Sequence, residues 1–198
     1  MHGLVNRSLQ CFLQDSHGLS CWQAVAQAAG VAEAGIEALL PCDPAVTNAL
    51  LDAAAACTGD SRDGLLEDLG IYLVSHPRMA AVRRLLRFGG VGFADFARSL
   101  EDLPGRVRLA VPDLVLPAIT VAETAPGQFR LRIAPGLAGL GAVLTGVLRA
   151  MADDYGTLAL IERDDDTKQG VLIRIDLLDT GFAQARAFAL AGPSGDPA

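Results

Sequence analysis

A chain of 198 residues, 51% hydrophobic but only 5% aromatic, is long enough for one domain with a sizeable interior built from Leu, Val and Ala. Its formal net charge of −7, with Lys168 the only lysine among 16 basic residues, excludes a nucleic-acid-binding surface, which rewards clustered cations. The uncharged stretch from Ile133 to Leu148 is too short for the about 18 to 20 residues of a membrane span, and no signal peptide opens the chain. The expectation is a soluble cytoplasmic protein that does not engage membranes.

From Gly3 to about Leu100 the pattern is helical. Leu4, Val5, Leu9, Phe12 and Leu13 recur at steps of three and four and mark one amphipathic face. Ser20 with Gln23 reads as a capping box, and Asp43 before Pro44 reads as an N-cap with proline at the first helical position. A further helix is predicted from about Ser61 to Val74, and Pro77 opens the next. Arg78, Arg83, Arg84 and Arg87 fall at helical spacing and predict a solvated basic face. Gly89-Gly90 breaks the chain before a short helix around Phe93 to Leu100.

Beyond Pro104 the texture changes. Ile119 to Thr124 and Gln128 to Ile133 are β-prone runs joined by the turn residues Ala125-Pro126-Gly127, a hairpin signal. Leu137, Leu140, Val143, Leu144, Val147, Leu148 and Met151 then predict a long helix, with Gly156 as its terminator. Thr157 to Arg163 and Val171 to Leu177 form a second hairpin around the polar loop Asp164 to Gly170. That loop lacks the spacing and terminal glutamate of an EF-hand and reads as a solvated turn. The end of the tail, Gly181 to Ala198, is small and polar and is expected to be disordered.

No catalytic constellation emerges, so the chain is read as a non-enzyme. His2, His17 and His76 sit in no nucleophile motif, and no Gly-x-x-x-x-Gly-Lys cradles a phosphate. A lone histidine such as His76, at a helix junction, reads as a cap or surface residue. Cys11, Cys21, Cys42 and Cys57 lack metal-ligand spacing, so no metal site is predicted. They read as inert thiols, a redox sensor requiring accessible sulfur of lowered pKa.

Met1-His2-Gly3-Leu4-Val5-Asn6, Gly18, Trp22, Asp43-x-x-Val46-Thr47, Gly70-Ile71-Tyr72 and Leu85-Leu86-Arg87-x-Gly89-Gly90 succeed one another in an order that, with Arg106-Val107, Pro112, Pro117 and Gly136-Leu137, extends over residues 1 to 177. Together they resemble H-NOX, the heme nitric oxide/oxygen-binding domain of bacterial heme sensors. The resemblance implies an α+β fold: a helical subdomain over 1–100, then an antiparallel four-stranded sheet with a long helix (ββαββ) over 101–180. Residues 1–180 would form a single domain and 181–198 an extension.

The same resemblance places Ser99-Leu100-Glu101-Asp102-Leu103-Pro104 on the family's ligand-bearing segment, with Pro104 where the iron-binding histidine stands. Proline offers no side-chain donor to iron. The family's Tyr-x-Ser-x-Arg motif, which holds the heme propionates, falls on Arg130, Arg132 and Ala134. The two arginines are suited to carboxylates but alternate as a strand's solvated face would. Gly139 occupies a position where some oxygen-binding members carry tyrosine, and Leu4, Val5, Pro117, Gly139 and Val143 line the heme cavity by resemblance. The resemblance and its departures imply a sensory or regulatory module without the family's heme ligation, acting through a signalling protein such as a histidine kinase or cyclic-dinucleotide enzyme. A heme or nitric oxide binder with another ligand, a sensor of a small apolar ligand, and a thiol redox sensor stay open. A filled cavity favours a pure interaction role and an open one favours a ligand.

Overall fold

The computed structural model describes residues 3–38, 40–164 and 170–182. Helix α1 (Gly3–His17) buries Leu9, Phe12 and Leu13, together with the polar Asn6 and Gln10. Its first residue must be glycine, because a Cβ there would collide with the backbone carbonyls of Glu37 and Leu40. Helix α2 (Leu19–Ala28) begins directly after Gly18, whose φ of 87° is open to glycine and strained for other residues. The predicted capping box is therefore not formed. The chain reverses at Gly18, Ser20 lies inside the helix, and Gln23 donates to the Glu33 carboxylate at 3.3 Å.

Elsewhere the local caps hold. The Asp43 carboxylate accepts the Ala45 amide at 2.9 Å to open α3 (Pro44–Thr58), and the Ser61 hydroxyl accepts the Gly64 amide at 3.0 Å to open α4 (Arg62–Ser75). A 3₁₀ turn at Pro77–Met79 leads into α5 (Ala80–Arg87). After α6 (Phe93–Ser99), a second such turn at Leu100–Asp102 enters α7 (Leu103–Ala110).

Strands β1 (Ile119–Ala125) and β2 (Gln128–Ile133) form the first hairpin. Helix α8 (Leu140–Tyr155) crosses to β3 (Leu158–Asp164) and β4 (Val171–Asp179), giving an antiparallel sheet of order β1-β2-β4-β3. On β2 the alternation is strict: Phe129, Leu131 and Ile133 are buried while Arg130 and Arg132 are exposed. The chain thus has the predicted helical half followed by ββαββ.

Two buried clusters result. Helices α1 to α4 enclose one around Trp22, Leu50 and Leu65, and the sheet with α5 to α8 encloses the other around Phe96, Leu131, Leu148 and Ile173. They meet where α4 crosses α8. A Cβ on Gly70 would strike the Val143 carbonyl, and one on Gly146 would strike the Glu67 carbonyl, so each glycine admits the other helix's backbone.

Of the basic face predicted on Arg78, Arg83, Arg84 and Arg87, Arg78 and Arg84 are exposed as expected, whereas Arg83 and Arg87 turn to a buried long-range partner. Asp154 of α8 is 0% exposed; its Oδ1 accepts from Arg83 Nε at 2.9 Å and Nη2 at 2.6 Å. Arg87 Nη1 lies 3.6 Å from the other carboxylate oxygen, with its guanidinium 4.0 Å over the Tyr155 ring. Arg78 reaches Asp15 at 2.7 Å. Helix α5 is therefore fastened to the last turn of α8.

Candidate functional site

A cavity of about 550 Å³ opens between α1, α3, α4, α5, α7 and the start of α8. Leu4, Val5 and Leu9 of α1 face Leu66, Leu69 and Leu73, which recur at three- and four-residue steps along α4. Leu51 of α3, Val82 and Leu85 of α5, Val107 of α7, Val111, Leu114 and Leu116 complete the wall with Leu137, Leu140 and Val143. Small residues at Ala81, Ala110, Ala138 and Gly139 leave the volume unfilled. It lies within the roughly 300 to 1,000 Å³ of ordinary small-molecule pockets.

The polar side chains on this wall are Ser8 and Thr47, and no charged side chain contributes to it among the described residues. Thr47 is only 4% exposed, and its hydroxyl has no hydrogen-bond partner. Gly139 begins α8 at φ 81°, and a Cβ there would come 2.5 Å from Leu66 Cδ1. Backbone and neighbour together confine that position to glycine.

Four of the residues assigned to the pocket by resemblance, Leu4, Val5, Gly139 and Val143, lie on this wall. Pro117 is not among the lining residues. It faces the Cα of Gly136, while the adjacent Leu116 turns to the cavity. Pro104 stands in the first turn of α7, where the missing amide costs no helical bond, and it too is absent from the wall. Val107 and Ala110 of the same helix present themselves instead. Arg130 pairs across the sheet with Ala122 and Arg174, and Arg132 with Thr120 and Leu172, on the face away from the core. Ala134 comes just after β2 and donates its amide to Ala118. None of these three borders the cavity.

Arg106 secures the segment around Pro104. Its guanidinium donates to the Ser99 carbonyl at 2.9 Å and to the Leu85 carbonyl at 3.4 Å, and burial lowers its pKa. The histidines are engaged elsewhere. His76 Nδ1 accepts the Arg78 amide at 3.4 Å, and its ring stacks on Tyr72 at 4.6 Å. The Tyr72 hydroxyl donates to Asp15 at 2.6 Å; that bond, with help from Arg78, holds Asp15 below its ordinary pKa, while burial and then Asp15 push Tyr72 up. His17 lies across the same shallow recess, away from the cavity. His2, residues 165–169 of the acidic loop and residues 183–198 of the tail lie outside the described residues.

The wall can be tested against heme by its donors. A porphyrin iron needs imidazole, thiolate, thioether or phenolate, and its propionates need cations. The described lining residues offer two hydroxyls among aliphatic side chains. They do not fit a heme held through a side-chain ligand. They do fit an uncharged apolar occupant. Among the described residues no group of three or more His, Cys, Asp and Glu is placed to hold a metal ion, and no helix is long and apolar enough to cross a membrane.

The Haem-NO-binding family matches residues 2–163. Soluble guanylate cyclases 89Da and 89Db of Drosophila melanogaster are each 21% identical over 183 residues, covering 90% of this chain. The chain spans about a quarter, 27%, of the length of those curated relatives. Among solved structures, the Fe(II) unliganded H-NOX protein from K. algicida superimposes with a TM-score of 0.73 at 18% identity, covering 93% of this chain and 100% of that one. The S. oneidensis H-NOX protein in the Fe(II)NO ligation state gives 0.74 at 15% identity, covering 90% and 100%.

Proposed function

Because this chain belongs to the Haem-NO-binding family, we propose that it is a non-catalytic sensory or regulatory module that signals through a partner and no longer holds heme through a side-chain ligand. The observation that carries this reading is the cavity wall, whose described residues are aliphatic with two hydroxyls and include no iron donor. Pro104 is read as the lost proximal position, and Arg130, Arg132 and Ala134 as the altered propionate motif. The exposed setting of the two arginines, off the cavity wall, supports a motif that no longer meets propionates.

The module comprises residues 1–180, with 181–198 as an extension, and works in the cytoplasm. Its output passes to a signalling enzyme, such as a histidine kinase or an enzyme of cyclic-nucleotide or cyclic-dinucleotide chemistry. The fly proteins, named as guanylate cyclases and several times longer than the matched region, support a sensor coupled to a separate effector.

The test is a hemin titration of the purified chain, in ferric and dithionite-reduced form. The expected result is broad, non-stoichiometric absorbance without a sharp Soret band. A tight one-to-one ferrous complex whose band shifts with nitric oxide refutes the reading.

A further inference from the structure

We infer that the cavity binds a neutral, apolar small molecule. The inference rests on the reading that heme does not take this space. Two observations carry it. The wall is aliphatic over a volume of about 550 Å³, and apolar cavities stay dry and accept apolar solutes. No cation borders it among the described residues, so a carboxylate or phosphate would lose its water without gaining a counter-charge.

Displacement of the neutral fluorophore N-phenyl-1-naphthylamine from the full chain tests this. 1-Octanol should displace it, and octanoate at pH 8 should do so at least tenfold less well. Val143→Phe, which fills the cavity, should abolish fluorophore binding. Octanoate matching octanol overturns the inference. Failure of the fluorophore to bind while hemin also fails overturns it and leaves the heme-free reading standing; a stoichiometric hemin complex overturns that reading itself.

An independent observation concerns the thiols. Cys21 on α2 and Cys57 in the last turn of α3 bring their sulfurs to 2.9 Å, with Cys57 exposed and Cys21 half-buried. We propose that this pair forms a reversible disulfide by exchange with a low-molecular-weight disulfide such as oxidised glutathione. The Cys57 thiolate attacks one sulfur of that disulfide, whose S–S bond breaks and releases one thiolate. The Cys21 thiolate then attacks the Cys57 sulfur and expels the second. One disulfide is consumed, two glutathione thiols are released, and α2 is stapled to the helix that carries Thr47 and Leu51. Burial and then Cys57 raise the Cys21 thiol to about 11, so the exposed Cys57 is the entry point.

The full chain equilibrated with oxidised glutathione should lose two hydrogens by mass. Peptide mapping should link Cys21 to Cys57, and dithiothreitol should reverse the change. Cys21→Ser should stop at a glutathione adduct on Cys57. A parent protein that itself stops at that adduct, or that links Cys11 or Cys42 instead, overturns the proposal.

Discussion

Replacing Asp154 by asparagine keeps the side chain's shape and removes its charge, leaving Arg83 and Arg87 facing a neutral group. The Arg83 contact of 2.6 Å corresponds to about 6 kcal/mol of attraction at an effective dielectric of about 20, before desolvation is subtracted. Taking one member from a buried pair costs about 3 to 5 kcal/mol, because the remaining charge stays desolvated without its partner. The arginine side chains are 24% and 12% exposed, so water relieves part of that cost and the lower figure, about 3 kcal/mol, is expected. For a chain of this length that is a fall in Tm of roughly 6 to 12 °C, at about 2 to 4 °C per kcal/mol. Urea unfolding followed by circular dichroism gives the free energy directly, and Arg83→Met in the same background should add little, since both changes break one interaction. A loss under about 1 kcal/mol, the worth of a surface ion pair, would show that Asp154 is solvated and that α5 is not fastened to α8 through it.

Pro104→His alone should not produce a stoichiometric hemin complex, because position 104 stands off the cavity wall and the described lining residues offer no cations; recovery of a sharp Soret band contradicts that. Gly139→Tyr, which installs the tyrosine that some oxygen-binding members carry, should destabilise by more than about 1 kcal/mol in thermal unfolding, from positive φ and the approach of Leu66. Without ligand, Thr47→Val should raise stability by about 1 kcal/mol by removing an unsatisfied buried hydroxyl, and an unchanged Tm argues that water or a protein group already satisfies it. Asp15 has a folded pKa below its ordinary 3.8, so its contribution is present above about pH 4 and is lost as pH falls through the folded value. Tyr72→Phe should therefore lower Tm at pH 7 and approach the parent near pH 2; parallel curves across that range contradict the assignment.

Signals confined to neighbouring residues were legible. Asp43 before Pro44, Ser61 and Gly156 each act within one turn, and the caps form where the residues stand. The hairpins arise from alternation, as Phe129, Leu131 and Ile133 against Arg130 and Arg132 show. Ser20 misled because a capping pattern competes with a left-handed glycine two residues earlier, and the backbone reversal prevails. Arg83 and Arg87 misled because their partner is about 70 residues away, with |i−j| of 71 for Arg83, and helical periodicity reports only one element's faces. The proximity of Cys21 and Cys57, the unpaired hydroxyl of Thr47 and the volume of the cavity all arise from how helices pack. Residue order alone carries none of them.

The crossing of α4 and α8 is a bearing rather than a cushion. Side chains at most helix contacts can change rotamer and absorb a small displacement, but at Gly70 and Gly146 carbonyl meets backbone and nothing can yield. Sliding one helix along the other would drive a carbonyl into a neighbouring Cβ. Turning about the contact is the motion left open. Since Val143 borders the cavity and its carbonyl sits on Gly70, whatever fills that space acts on the short arm of a lever whose long arm ends at Asp154. Changes in occupancy would then be felt at the last turn of α8, where Asp154 holds Arg83 and Arg87.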